Sequence, residues 1–114
     1  MRYRTLDKNW QFNRVYGRGK SYVHPHCVLY VAKNRLGYTR IGLTATKKVG
    51  HAVQRNRLRR QLREIYRLHE TSFARGYDLV VVARSRAIGA DYAALEHAYL
   101  SLAARLGLLT QNTP

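Results

Sequence analysis

Residues 46 to 67, TKKVGHAVQRNRLRRQLREIYR, place eight Lys or Arg side chains against a single acid, Glu64. Phosphate binding is the chemistry such a segment can do. A guanidinium is planar and donates two parallel hydrogen bonds to a phosphate, whereas lysine acts as a point charge. At about 100° per residue, Leu58, Leu62, Ile65 and Tyr66 share one apolar face of a helix. Arg55, Asn56, Arg59, Arg60, Arg63 and Arg67 share an adjoining polar arc, and Arg57 points elsewhere, toward a Glu or a separate phosphate. A mixed Lys/Glu run is ordinarily a solvated helix face. Here like charges at helical neighbour spacing repel one another unless an anion compensates them, so this face expects phosphates.

Residues for hydrolytic chemistry are scarce by comparison. The only acids are Asp7, Glu64, Glu70, Asp78, Asp91 and Glu96, and no two are spaced as a general acid and base or as a two-metal nuclease site. His24, His26 and Cys27 flank Pro25 without a second Cys/His cluster, so a zinc site is not expected there; His51, His69 and His97 are scattered. Cys27, the sole cysteine, sits in the apolar run CVLYVA and reads as a small buried hydrophobe. No catalytic residue and no metal ligand is therefore assigned to this chain.

The elements that position the arginines can be read in order. The 114 residues suit one domain spanning 1–114. Net charge is +15 and pI about 10.8, with 18 of the 21 basic residues before residue 76, against 3 of the 6 acids. A polyanionic partner follows. With 46% hydrophobic residues, including nine Tyr, the chain is too apolar for a disordered basic tail. It contains no apolar run of the roughly 18 residues a membrane span needs, and MRYRTLDKNW lacks a secretory segment, so a cytoplasmic location without a membrane partner is expected.

Asp7 is placed to cap a helix over residues 8 to 16, ended by Gly17 and Gly19. Residues 21 to 33 read as an extended segment that bends at Pro25 and continues as a strand over 27 to 33. A turn at 34 to 37 and a strand at 38 to 47 predict a hairpin with it. The basic helix is predicted over 52 to 75, stopped by Gly76, and the LVVVA run in 77 to 84 as a strand buried on both faces. Asp91 caps a last helix whose Tyr92, Leu95, Tyr99, Leu102 and Leu106 pack on the sheet, and the TQNTP tail is expected to fray. The order α-β-β-α-β-α predicts an α/β (α+β) sandwich built on one sheet.

TATKKVGHAVQRNRLRRQLREIYR resembles the bacterial ribonuclease P protein family, whose pattern couples a strand ending in Lys-Lys to a helix carrying Arg-Asn-Arg. FNRVYGRG at 12 to 19 is similar to that family's aromatic helix and glycine stop, and CVLYVA at 27 to 32 to its first core strand. The resemblance covers residues 6 to 84. Tyr16 stands where the family favours Phe, and TATKK replaces Val-Ser-Lys-Lys. The resemblance implies a two-layer, ribosomal-protein-like domain with a left-handed β-α-β crossover, against the usual right-handed rule. It implies that Arg55, Asn56, Arg57, Arg59, Arg60, Arg63 and Arg67, with Lys47 and Lys48 nearby, bind a catalytic RNA. Phe12, Tyr16 and Tyr30 would hold the single-stranded 5′ leader of precursor tRNA, a role that agrees in kind with base stacking on rings in a basic groove. It further implies that the RNA subunit binds Mg²⁺ and cleaves while the isolated protein does not, with no organic cofactor and no obligate protein partner. Two alternatives share the composition: a ribosomal or ribosome-assembly protein of similar fold, and a DNA-binding regulator using the basic helix, although the short helix and turn expected for that use are missing.

Overall fold

The computed structural model describes residues 3–110. Its centre is a five-stranded sheet of order β1-β4-β5-β3-β2, formed by β1 (Tyr3–Thr5), β2 (Lys20–Val23), β3 (Cys27–Lys33), β4 (Thr39–Thr44) and β5 (Tyr77–Ala83). The helices are α1 (Asn9–Arg18), α2 (Ala52–His69) and α3 (Tyr92–Arg105). The predicted α-β-β-α-β-α order is preserved inside this list, with β1 and β2 added.

The LVVVA strand takes the middle of the sheet because it is apolar on both faces: Leu79, Val80 and Val81 are fully buried. It pairs antiparallel with β3 from Cys27↔Ala83 to Lys33↔Tyr77, and parallel with β4 from Arg40↔Asp78 to Thr44↔Val82. β3 and β4 are therefore not the hairpin expected from their sequence adjacency. The connection passes around the end of β5, where Asn34 donates to Asp78 Oδ1 at 2.8 Å and to the Tyr38 carbonyl at 3.0 Å. Nor does the segment around Pro25 simply bend: β2 folds back on β3 as a true hairpin, from Lys20↔Val31 to Val23↔Val28.

Alternation along the strands separates two packing faces. Cys27, Leu29, Val31, Ile41, Leu79 and Val81 meet Leu58, Leu62, Ile65 and Tyr66 of α2 and Leu95, Ala98, Tyr99 and Leu102 of α3 in the main core. Each of these large buried side chains contributes about 1.5–3 kcal/mol relative to exposure. Tyr66 joins the layers by edge contacts to Tyr3 (5.0 Å between centroids) and Phe73 (4.9 Å). On the opposite face α1 adds a smaller cluster of Leu6, Val15 and Val80 with Phe12, Tyr30, Ala32 and Val82 around it.

Several predicted boundaries move for local reasons. Lys8, not Asp7, is the N-cap of α1, and the Gln11 side-chain oxygen accepts from the Asp7 and Lys8 amides at 3.0 Å. Helix α1 passes through Gly17 and stops at Gly19, where any Cβ would lie 2.5 Å from the carbonyl oxygens of Val15 and Val31. Helix α2 ends at His69, six residues before the predicted end, in a 3-10 turn (Glu70–Ser72) that drives Phe73 into the core; Gly76, at φ +87°, instead opens β5. Asp91 caps α3 as expected, accepting from the Ala94 amide at 2.8 Å. Thr110 is anchored rather than frayed, its amide donating to the Ser72 carbonyl at 2.7 Å, and the remainder of the predicted tail, 111–114, lies outside the described residues.

Candidate nucleic-acid interface

The arginines of α2 divide into two groups. Leu58, Leu62, Ile65 and Tyr66 hold one side of the helix in the core, which turns the arginine arc outward. Arg55 donates to the Gly50 carbonyl at 2.7 Å and Arg59 to the Ala45 carbonyl at 3.3 Å and to Asn56 Oδ1. These bonds tie the helix start to the end of β4. Arg67 pairs with Glu64 one turn back. Arg57, Arg60 and Arg63 are exposed and have no hydrogen bond or ion pair among the described residues. Arg57 bridges to no Glu; it lines a groove with Gln54, Gln61 and Asp91. Lys47 and Lys48 are exposed on the turn between β4 and α2, which the Val49 amide closes on the Thr46 carbonyl at 2.9 Å.

The aromatic residues converge on the other face of the sheet. Tyr16 of α1 and Tyr30 of β3 meet edge to face, with centroids 4.9 Å apart and planes at 74°. Tyr16 is 39% exposed, so one ring face is open to solvent. Phe12, half-buried, lies over Gly42, where an added Cβ would come within 2.5 Å of the ring. Val15, by contrast, is completely buried and belongs to the core. Asn9, Phe12, Asn13, Tyr16 and Thr44 line a groove of about 450 Å³ between α1 and β4. Such a groove offers ring faces for stacking and amide and hydroxyl groups for hydrogen bonding.

The two surfaces lie on opposite faces of the sheet and meet at one strand end. Thr44 lines the groove, the next carbonyl anchors Arg59, and Lys47 and Lys48 follow. Sequence reasoning missed Asn9, Asn13, Gly42 and Thr44. Gly42 carried a legible signal, since glycine inside a strand often marks close approach of another element.

The remaining polar side chains are committed to the scaffold. Asp78, 1% exposed, accepts from Arg40 Nε at 2.8 Å and Arg40 Nη2 at 2.7 Å as well as from Asn34. Its carboxylate raises the Arg40 pKa above the ordinary value. Glu64 is engaged by Arg67, Glu96 by His69 at 2.8 Å, and Asp91 by its own helix. The His24 and His26 rings stack on each other, 5.1 Å apart, whereas Cys27 is buried in the core and burial pushes its thiol up to about 12. Among the described residues no group of three or more His, Cys, Asp or Glu side chains converges as metal ligands, and none of the helices is long and apolar enough to cross a membrane.

A one-sheet α+β domain with a basic helix on one side and an aromatic groove on the other defines a class of single-domain RNA-binding proteins. The family profile described as Ribonuclease P matches residues 1–107. The chain is 44% identical over 108 residues to the ribonuclease P protein component of Natranaerobius thermophilus, covering 95% of this chain and 94% of the relative. It is 42% identical over 109 residues to that of Clostridium botulinum, covering 95% and 98%. Its fold is similar to the solved RNase P protein of Staphylococcus aureus, with TM-score 0.86, 26% identity and coverage of 93% and 97%. The Thermotoga maritima protein gives TM-score 0.78 at 29% identity, covering 85% and 92%. This chain belongs to the ribonuclease P protein family.

Proposed function

We propose that this chain, as the protein subunit of ribonuclease P, uses its two surfaces for two RNAs during removal of the 5′ leader from precursor tRNA. Exposed Arg57, Arg60 and Arg63, with Lys47 and Lys48, neutralise phosphates of the catalytic RNA, while Arg55, Asn56, Arg59 and Arg67 act mainly by fixing the helix and its neighbours. The groove formed by Phe12, Tyr16 and Tyr30 holds the unpaired leader. The observation that carries this reading is the open Tyr16–Tyr30 ring pair beside Phe12, joined through the end of β4 to the basic turn.

Hydrolysis of a phosphodiester needs charge stabilisation at the attacking and leaving oxygens, commonly from metal ions. The donor set of this chain does not fit that task, because Glu64, Asp78, Asp91 and Glu96 are already bonded within the protein. Cleavage and its Mg²⁺ are assigned to the RNA subunit, and the protein's part is to lower phosphate repulsion and select substrates that carry a leader. It performs this in the cytoplasm and requires no second protein.

Replacing Tyr16 and Tyr30 by Ala tests the groove. Affinity of the assembled enzyme for precursor tRNA should fall by about 5-fold or more, the equivalent of one lost stack of roughly 1–3 kcal/mol, with affinity for mature tRNA unchanged. Equal losses for both substrates would overturn the assignment.

A further inference from the structure

Helix α1 carries a second set of RNA-compatible side chains outside the groove. Trp10, the only tryptophan of the chain, is 58% exposed although it is the largest apolar side chain available to the core. Trp10, Asn13, Arg14 and Arg18 line a shallow depression of about 610 Å³ on the outer side of the helix. Trp10, Arg14 and Arg18 follow at intervals of four, so they form one stripe about 12 Å long at 1.5 Å per residue. Neither Arg14 nor Arg18 has a hydrogen bond or ion pair among the described residues. Asn13 lines both this depression and the aromatic groove, so the two are contiguous across the helix.

An indole flanked by two uncompensated guanidiniums suits one unpaired nucleotide with its adjoining phosphates. The ring supplies a stacking face, and arginine supplies charge and cation–π contacts that are tolerant of base identity. A duplex presents no free base face to stack, so single-stranded RNA is the fitting partner. Continuity through Asn13 identifies which single strand.

We infer that a leader longer than the Phe12–Tyr16–Tyr30 groove can hold continues over α1 at Asn13, stacking a base on Trp10 with its phosphates on Arg14 and Arg18. This rests on the groove being the leader site. The surface extends substrate recognition to the distal leader and makes affinity depend on leader length, without touching the cleavage point.

Because Trp10 is the sole tryptophan, its emission in the holoenzyme reports this site alone. The enzyme is titrated with mature tRNA, with precursor whose leader just fills the groove, and with precursor whose leader extends beyond it. Only the extended leader should quench the emission. Trp10→Ala should lower affinity for the extended leader by about 5-fold or more and leave the short leader unaffected, with Trp10→Phe restoring most of the loss. Quenching on assembly with the catalytic RNA and no further change with any precursor would overturn the inference and give this face to the catalytic RNA. Equal effects of Trp10→Ala on both leaders would also overturn it. Tyr16→Ala measured in parallel separates the two levels: if it weakens both precursors while Trp10→Ala weakens neither, only the inference fails; if it weakens neither, the groove reading fails with it.

Discussion

Replacing Arg60 and Arg63 together by Ala removes two guanidiniums that are exposed and uncommitted within the protein. If each neutralises one phosphate of the catalytic RNA, each releases counterions on binding. The slope of log affinity against log salt should then become shallower by about 0.7–0.9 per contact, or about 1.4–1.8 for the pair. Over an approximately fourfold rise in salt this lowers the salt sensitivity by about 7- to 12-fold. Fluorescence anisotropy of labelled catalytic RNA across a KCl series measures it. Arg105→Ala serves as the control, because that side chain lies over the Tyr22 ring at 4.5 Å and belongs to α3. The reasoning fails if the double variant keeps the parent slope. It also fails if Arg105→Ala flattens the slope as much as one α2 arginine does, since binding would then follow total charge rather than this helix face.

Other outcomes concern the scaffold. Asp78→Ala leaves the Arg40 guanidinium, only 12% exposed, without its carboxylate, and should cost about 3–5 kcal/mol in urea unfolding with little change in the denaturant slope. Alkali should destabilise the fold between about pH 9 and 12, because burial pushes the Cys27 thiol from 9.0 to about 12 and the Tyr66 hydroxyl from 10.0 to about 12. Both folded values are raised, so the unfolded chain loses these protons first and the stabilisation present below pH 9 is lost as pH rises; urea midpoints at neutral and alkaline pH check this, and an unchanged midpoint would contradict it.

The sequence pattern made the helices and the central strand legible because each has a strong period or an unbroken apolar run. Helix α2 shows its buried Leu58, Leu62, Ile65 and Tyr66 in spacing alone, and Asp91 announces α3 as a side-chain cap. Sheet order was not legible. β3 and β4 are neighbours in sequence, and only the double-sided burial of Leu79, Val80 and Val81 makes β5 insert between them. β1 is three residues long and its pairing with β4 rests on Tyr3 packing against Tyr66, a contact that no local pattern encodes. In the interface, residue types identified the arginines but not their division. Whether a guanidinium faces solvent or a carbonyl depends on where β4 ends, so Arg55 and Arg59 could not be told from Arg60 and Arg63 by spacing.

The most direct measurement is cleavage of a precursor tRNA at low Mg²⁺ by a bacterial ribonuclease P RNA, with and without this protein, beside the protein alone. Restored cleavage at the mature 5′ end in the mixture, and none by the protein alone, is the expected result. Binding of the RNA without any stimulation of cleavage, or turnover by RNA-free protein, would contradict the account.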